Sequence, residues 1–318
     1  MTPDVLHSRL AAYLAMREAL GFRMRAPTLL LTDFVQYVIA HNLPDPIRAQ
    51  LAVDWACSGS ATRGVGGHAA RLSVVRGFLS FLRASAPETE VPDRHLLATA
   101  RRPLPYLFSA DELTRLLTAL ESPRPCRSLR PVLWQTFIGL LASTGLRVGE
   151  ARRLTVDDVV LDGTPPHLRI VETKFRKSRI VPVHPTTADQ LRQYAWHRRH
   201  LGYQGVSEVF FPSKTGAVLH RATVSHVFHR LTQQLGIGSR AGGQTPTLQS
   251  LRHTFAVERL RLWYRAGLDV QALLPQLSVY LGHLRPQDTY WYLTATPELL
   301  TLAADRFQRY ADAEGGRA

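Results

Sequence analysis

Cysteine is almost missing from this chain. Two occur among 318 residues, Cys57 and Cys126. They are far apart and lack the paired spacing of a disulfide framework or a zinc site, so both read as small buried hydrophobes. Negative charge is also scarce: 25 Asp plus Glu stand against 39 Lys plus Arg, a formal net charge of +14. Such an excess attracts polyanions, of which nucleic acid is the commonest, with an anionic membrane surface as the blander partner. No apolar run approaches the ~18 residues of a membrane span. The N-terminus, Met1-Thr2-Pro3-Asp4-Val5, lacks the basic and apolar regions of a signal peptide. The expectation is a cytoplasmic protein with no membrane association. Repeats and low-complexity stretches are absent, and no acidic cluster suggests a nuclease-type Mg²⁺ site, so no metal and no cofactor is expected. What is present is ordinary for a folded protein: 45% hydrophobic and 20% charged residues, in a chain long enough for two domains.

Residues 1 to about 100 carry helical periodicity. Leu6, Leu10, Tyr13, Leu14 and Leu20 fall near one stripe, Leu29, Leu30, Phe34, Val35 and Val38 near a second, and Leu72, Val75, Phe78, Leu79 and Leu82 near a third. Arg71, Arg76 and Arg83 lie outside the last stripe, as a solvated face that can also meet phosphates. The stretch from Ala84 to Pro105 is rich in proline and charge and reads as an interdomain connection. Ser109 with Glu112 forms a capping box that opens a new helix. Further on, Val159-Val160-Leu161, residues 167–171 and residues 179–183 read as short strands, punctuated by Asp162-Gly163 and by the basic turn Lys174-Phe175-Arg176-Lys177. Helices are predicted at 186–200, 221–235, 250–266, 270–281 and 296–311. The fold class is therefore mainly α with a small β-sheet, in a helical N-terminal domain and a mixed α/β C-terminal domain.

Three segments carry chemistry. Thr144-Gly145-Leu146-Arg147-Val148-Gly149-Glu150 and Leu251-Arg252-His253-Thr254 each centre on an arginine, 105 residues apart, and Leu281-Gly282-His283 precedes Tyr290-Trp291-Tyr292. A phosphodiester repels nucleophiles, and its transition state spreads negative charge over the non-bridging oxygens. Guanidinium groups hold such oxygens in pairs and stay charged at any working pH. Glu150, one turn from Arg147, is placed to orient it, and His253 adjoins Arg252. Gly282 ends a helix and leaves His283 on a turn. Tyr290 and Tyr292 are two residues apart, about 200° around a helix, so one can sit in the core while the other meets substrate.

In order and spacing these segments resemble the tyrosine recombinase (phage integrase) family, over most of residues 106–310 and more loosely over the helical N-domain. The resemblance implies a helical core-binding domain at 1–100, a linker at 101–108 and a catalytic domain at 109–318. It implies a site-specific recombinase that cuts and rejoins double-stranded DNA through a 3′-phosphotyrosyl link, in the service of integration, excision, transposition or replicon resolution. In the family the nucleophile follows the Leu-Gly-His histidine by nine residues, which selects Tyr292 and leaves Tyr290 and Trp291 as buried aromatics. Arg147 and Arg252 would clamp the phosphate, with His283 as the histidine between the second arginine and the tyrosine. The family lysine, five residues before an Arg-Ile-Val-Pro strand, matches Lys174, with Lys177 as its competitor, and would protonate the leaving 5′-oxygen. Arg176 and Lys177 also read as phosphate contacts. Four protomers would assemble on two DNA sites, with accessory proteins as further partners. The amphipathic segment from Thr294 through Phe307 would dock either on a neighbouring protomer or on its own domain.

One position departs. The family has histidine three residues before the second arginine, and this chain has Gln249, which can donate a hydrogen bond but cannot exchange a proton near neutral pH. Two alternatives stay open: a type IB topoisomerase-like enzyme, and a catalytically weak DNA-binding relative. The recombinase reading requires both guanidinium groups in one pocket and a phenol at 292 that is open to DNA.

Overall fold

The computed structural model describes residues 1–22, 24–42, 46–58, 64–98, 104–121, 128–171, 178–203, 207–238, 245–294 and 297–315. The chain divides into two compact units, Met1–Pro103 and Leu104–Ala318.

The first unit holds α1 (Pro3–Ala19), α2 (Arg25–Ala40), α3 (Ala49–Cys57) and α4 (Gly64–Arg83). The Thr2 hydroxyl accepts from the Val5 amide and proline occupies the first turn, so α1 starts where its orphan donors are satisfied. Leu6, Leu10 and Tyr13 of α1 meet Phe34, Val35 and Val38 of α2 and Leu72, Val75, Phe78 and Leu79 of α4 in one buried cluster. Helix α3 carries no long stripe. Nine residues give little more than two turns of period, and only Ala52, Trp55 and Ala56 turn inward, while Cys57, expected to be buried, is exposed at the helix end. Trp55 is 1% exposed and packs edge-on against Phe34 at 5.3 Å.

Arg71 corrects the expectation of a solvated arginine face on α4. It is buried, with its guanidinium 4.0 Å from the Trp55 ring centre and Nη2 donating to the Trp55 carbonyl at 3.1 Å. Flat, weakly hydrated guanidinium tolerates such a place when an aromatic face and a carbonyl receive it. Its charge pairs with Asp33 of α2 at 3.4 Å while its plane packs α4 against α3. Arg76 is partly exposed, with Nη2 donating to Ser73 at 3.3 Å, and Arg83 is exposed.

The second unit begins at α5 (Ala110–Thr118), with the Ser109–Glu112 capping box in place. Its centre is α6 (Leu129–Thr144), which buries Val132, Leu133, Phe137, Ile138, Leu140 and Leu141. A helix apolar on nearly every side has no solvent face to offer and becomes the one around which others pack. Gly145 stops it in the left-handed region at φ 62. The short α7 (Val148–Ala151) follows, then an antiparallel sheet of β1 (Val159–Val160), β2 (His167–Ile170) and β3 (Arg179–Pro182) in sequential order, with Leu168 opposite Val181. Leu168 and Val181 point into the core and their neighbours Arg169 and Ile180 outward, the period-two alternation of a half-buried sheet.

Helices α8 (Pro185–Arg198), α9 (Arg221–Gln234), α10 (Leu248–Arg265), α11 (Val270–Leu281), α12 (Gln287–Tyr290) and α13 (Pro297–Gly315) complete the unit, with a single 3-10 turn, Trp291–Thr294, between the last two. The ends of α8 to α11 fall within two residues of the periodicity, the ordinary uncertainty of helix termini, while α13 runs four residues past its expected end at 311. Among the described residues no helix is long and apolar enough to cross a membrane. Helix α13 lies on its own unit: Leu299 is 1% exposed beside Leu260 and Leu274, and Glu298 pairs with Arg261 at 2.6 Å and Arg265 at 3.0 Å. Leu300 and Phe307 face outward.

Candidate active site

The C-terminus of α11 organises the site. A helix end leaves its last carbonyls without intrahelical partners and carries a partial negative charge. Here three arginines from three elements take three successive carbonyls. Arg179 at the head of β3 donates Nε to Tyr280 at 2.8 Å. Arg252 in α10 donates Nη2 to Leu281 at 2.7 Å and Nη1 to Gly145 at 2.8 Å. Arg147, the residue that starts α7, donates Nη2 to Gly282 at 2.8 Å. Two glycine-ended helices, α6 and α11, are thereby tied together through Arg252.

Glu150 is the counterion. Its Oε1 accepts from Arg147 Nη1 at 2.9 Å and its Oε2 from the Arg147 amide at 3.0 Å, so one carboxylate caps α7 and orients the guanidinium. The same two oxygens accept Nη1 and Nη2 of Arg179, at 3.1 and 2.9 Å. Desolvation pushes the Glu150 carboxyl up, but the hydrogen bond and charge of Arg179, followed by the amide and charge of Arg147, hold it below its ordinary value. Three cations around one carboxylate leave the pocket net positive, which suits a phosphate.

Arg252 is 1% exposed. Burial above all, then the nearby Arg147, pulls it down to about 10, while Tyr292 and Glu150 act the other way. It remains cationic at neutral pH. Arg147 keeps 35% of its side chain exposed. The pair thus comprises one arginine locked in the interior and one open at the surface, close enough to influence each other electrostatically.

Gly282 is left-handed at φ 67, and a Cβ there would lie 2.6 Å from Arg179 Nη1. Glycine in Leu-Gly-His therefore admits the Arg179 guanidinium as well as the turn. His283 follows with Nδ1 2.7 Å from the hydroxyl of the fully buried Thr289, which fixes the ring and turns Nε2 to the opposite edge. Its ring lies nearly parallel to that of Tyr292, with centres 6.1 Å apart and 18° between planes.

The two tyrosines reverse the sequence expectation. Tyr290 is 46% exposed and Tyr292 is 2% exposed, while Trp291 is half-buried. Because α12 ends at Tyr290 and the chain tightens into the 3-10 turn, Tyr292 tucks against α10 among Ala256, Leu260 and Leu281. Its hydroxyl lies 3.1 Å from Nδ1 of His253. The open phenol that the sequence reading requires is covered here by the apolar residues around it.

Of the residues singled out from sequence, the fold gathers Arg147, Glu150, Arg252, His253, His283 and Tyr292. Gln249 is exposed on the first turn of α10, one helical turn before His253. Lys174, Arg176, Lys177 and Cys126 lie outside the described residues. The sequence places Arg179 only at the start of a strand. No local pattern signals it, because its carboxylate and carbonyl partners lie 29 and 101 residues away.

Residues 107–298 match the phage integrase family. A relative named putative integrase/recombinase y4rB, from Sinorhizobium fredii, is 40% identical over 305 residues, covering 93% of this chain and 95% of that protein. Among solved structures, the XerH site-specific recombinase bound to palindromic difH substrate, in its post-cleavage complex, superposes with a TM-score of 0.67 at 17% identity, over 96% of this chain and 85% of that one. A lambda integrase tetramer bound to a Holliday junction gives 0.61 at 20% identity, over 90% and 76%. The chain belongs to the phage integrase family of tyrosine recombinases. It is a site-specific DNA recombinase, an enzyme of DNA strand transfer.

Proposed function

We propose that Tyr292 is the nucleophile and that the three-arginine end of α11 is the phosphate site. The phenol attacks the scissile phosphorus, a 3′-phosphotyrosyl link forms, and a 5′-hydroxyl is released. Arg147 and Arg252 hold the non-bridging oxygens with the N–H groups not committed to carbonyls, and His283 donates to one of them. Lys174 protonates the leaving 5′-oxygen, and Gln249 contributes a hydrogen bond only. The link conserves the energy of the phosphodiester, so religation by an incoming 5′-hydroxyl needs no added energy source.

The observation that carries this reading is the convergence of Arg147 and Arg252, 105 residues apart, on adjacent carbonyls of one helix end, with His283 and Tyr292 beside them. The covered phenol adds one requirement: DNA must uncover Tyr292 on binding.

Duplex DNA is the substrate, and the basic excess supplies affinity through its phosphates, with Arg76 among the candidates for such contact. Met1–Pro103 serves as the helical core-binding domain and Leu104–Ala318 as the catalytic domain. Four protomers assemble on two sites, acting in the cytoplasm on an integrating, excising, transposing or resolving element, with accessory proteins directing the outcome. A nicked suicide duplex tests the chemistry: a covalent protein–DNA adduct forms and Tyr292→Phe abolishes it. Joining of two sites, without simple relaxation of one supercoiled circle, separates recombinase from topoisomerase.

A further inference from the structure

The phenol of Tyr292 cannot attack while it keeps its hydrogen. An unperturbed tyrosine ionises near pH 10, so close to neutrality the proton must leave as the O–P bond forms. Gln249 occupies the position where the resemblance places a histidine, and an amide takes up no proton there. Yet one side chain that does accept protons in this range touches the reacting oxygen itself.

That side chain is His253. Its Nδ1 lies 3.1 Å from the Tyr292 hydroxyl. The ring is half-buried and stands edge-on to Trp291 at 5.4 Å, a contact that fixes its plane. Its neighbour on α10 is Arg252. Adjacent residues of a helix point about 100° apart, so one turn of α10 sends Arg252 to the carbonyls of Gly145 and Leu281 and His253 to the nucleophile. Gln249 precedes His253 by four residues, and such pairs stack on one helix face. A proton acceptor at 249 and one at 253 therefore serve the same side of the pocket from successive turns.

We propose that His253 is the general base for Tyr292, filling from the next turn the role that Gln249 cannot perform. This rests on the reading of Tyr292 as nucleophile. In the tautomer protonated on Nε2, Nδ1 accepts the phenol's hydrogen. As the phenolic oxygen bonds to phosphorus, its proton passes to Nδ1 and an imidazolium forms. The bond from phosphorus to the 5′-oxygen breaks, and that oxygen takes its proton from Lys174. On religation the 5′-hydroxyl proton returns to Lys174, and His253 restores its own to the phenol as the phosphotyrosyl bond opens. No proton is gained or lost over the cycle.

The test is single-turnover adduct formation by the full chain on a nicked suicide duplex. His253→Asn places an amide where Nδ1 stood: it accepts the phenol's hydrogen bond but not its proton. The expected loss is on the order of a hundredfold in rate, the usual weight of one base, with DNA affinity unchanged. Gln249→His added to His253→Asn recovers most of that loss. His253→Gln, with a longer amide, is the second variant should the first unfold. A duplex with sulfur in place of the scissile 5′-oxygen has a leaving group that needs no protonation. It rescues Lys174→Ala and leaves the His253→Asn defect intact.

A His253→Asn rate equal to or faster than the parent's overturns the proposal, because the histidine then only holds the phenol in storage. Rescue of His253→Asn by the sulfur substrate overturns it too, moving the histidine to the leaving-group side. The underlying reading fails in a different way: an adduct that survives Tyr292→Phe.

Discussion

The guanidinium of Arg179 grips both oxygens of Glu150 in parallel, Nη1 to Oε1 at 3.1 Å and Nη2 to Oε2 at 2.9 Å, with 8% and 3% of the two side chains exposed. Glu150 in turn steadies Arg147. Removing one member of a buried pair strands the other's charge and costs about 3–5 kcal/mol. Arg179→Ala is therefore expected to lower the melting temperature on the order of ten degrees, and to slow adduct formation even in the folded fraction, because Arg147 loses its support. Arg179→Lys keeps the charge but cannot hold two carboxylate oxygens and the Tyr280 carbonyl together; it falls between the two. Thermal denaturation beside single-turnover cleavage checks both effects, and a parent-like Tm for Arg179→Ala would contradict this account.

The same carboxylate gives the fold a defined acid sensitivity. Desolvation raises the Glu150 carboxyl, and Arg179 and Arg147 outweigh it, so its folded value lies below its ordinary 4.5. A group depressed by folding adds stability that is complete above its unfolded value and disappears as pH falls through the folded one. Against Glu150→Gln, the parent's advantage in unfolding free energy should be full near pH 6 and shrink steadily below about pH 4.5. Denaturant titrations at several pH values measure it; an advantage that grew on acidification would reverse the sign assigned here.

Much of this site is legible in the sequence because its parts are local. Gly145 and Gly282 end helices, Ser109 and Glu112 cap one, and β2 and β3 alternate with period two. What is not legible is which way a side chain turns once the backbone leaves regular helix. Tyr290 and Tyr292 are rightly placed on opposite sides, but the side that faces protein is set by the tightening to a 3-10 turn and by the apolar floor that α10 offers. Arg71 likewise falls outside the apolar stripe of α4 and is still buried, because Trp55 from α3 lies over it. Arg179 belongs to the same class: its partners are 29 and 101 residues away, and no local pattern announces them.

Three left-handed glycines allow the backbone cost to be separated from the steric one. Gly145, Gly236 and Gly282 have φ of 62, 62 and 67. A Cβ at Gly236 meets nothing within 4 Å, whereas at Gly145 it would stand 2.6 Å from Phe255 Cδ1 and at Gly282 2.6 Å from Arg179 Nη1. Gly236→Ala should cost only the conformational strain, about 1–2 kcal/mol. Gly145→Ala and Gly282→Ala should cost more, and should also slow cleavage, since each shifts a helix end that an active-site arginine holds. Equal destabilisation at all three positions would mean that the close contacts are not felt.

Tyr290 and Tyr292, two residues apart, present a contrast in which exposure and chemistry point opposite ways. Tyr290 is the accessible phenol, at 46% exposed, and Tyr292 the covered one, at 2%. If accessibility chose the nucleophile, Tyr290→Phe would abolish adduct formation. The surroundings choose otherwise: Tyr292 has His253 Nδ1 at 3.1 Å, the His283 ring alongside, and a charge interaction with Arg252. Tyr290→Phe is expected to leave both cleavage and stability near the parent, within about 0.5 kcal/mol as for most surface changes. Tyr292→Phe keeps the ring in its apolar seat and gives up one hydrogen bond, worth about 1 kcal/mol, so it should fold and bind DNA while forming no adduct. Denaturing gels of each variant on a nicked duplex decide the matter, and mapping the phosphotyrosyl peptide fixes the residue directly. A link found at 290 would mean that the covered phenol is a packing residue and that the arginine pair serves its exposed neighbour.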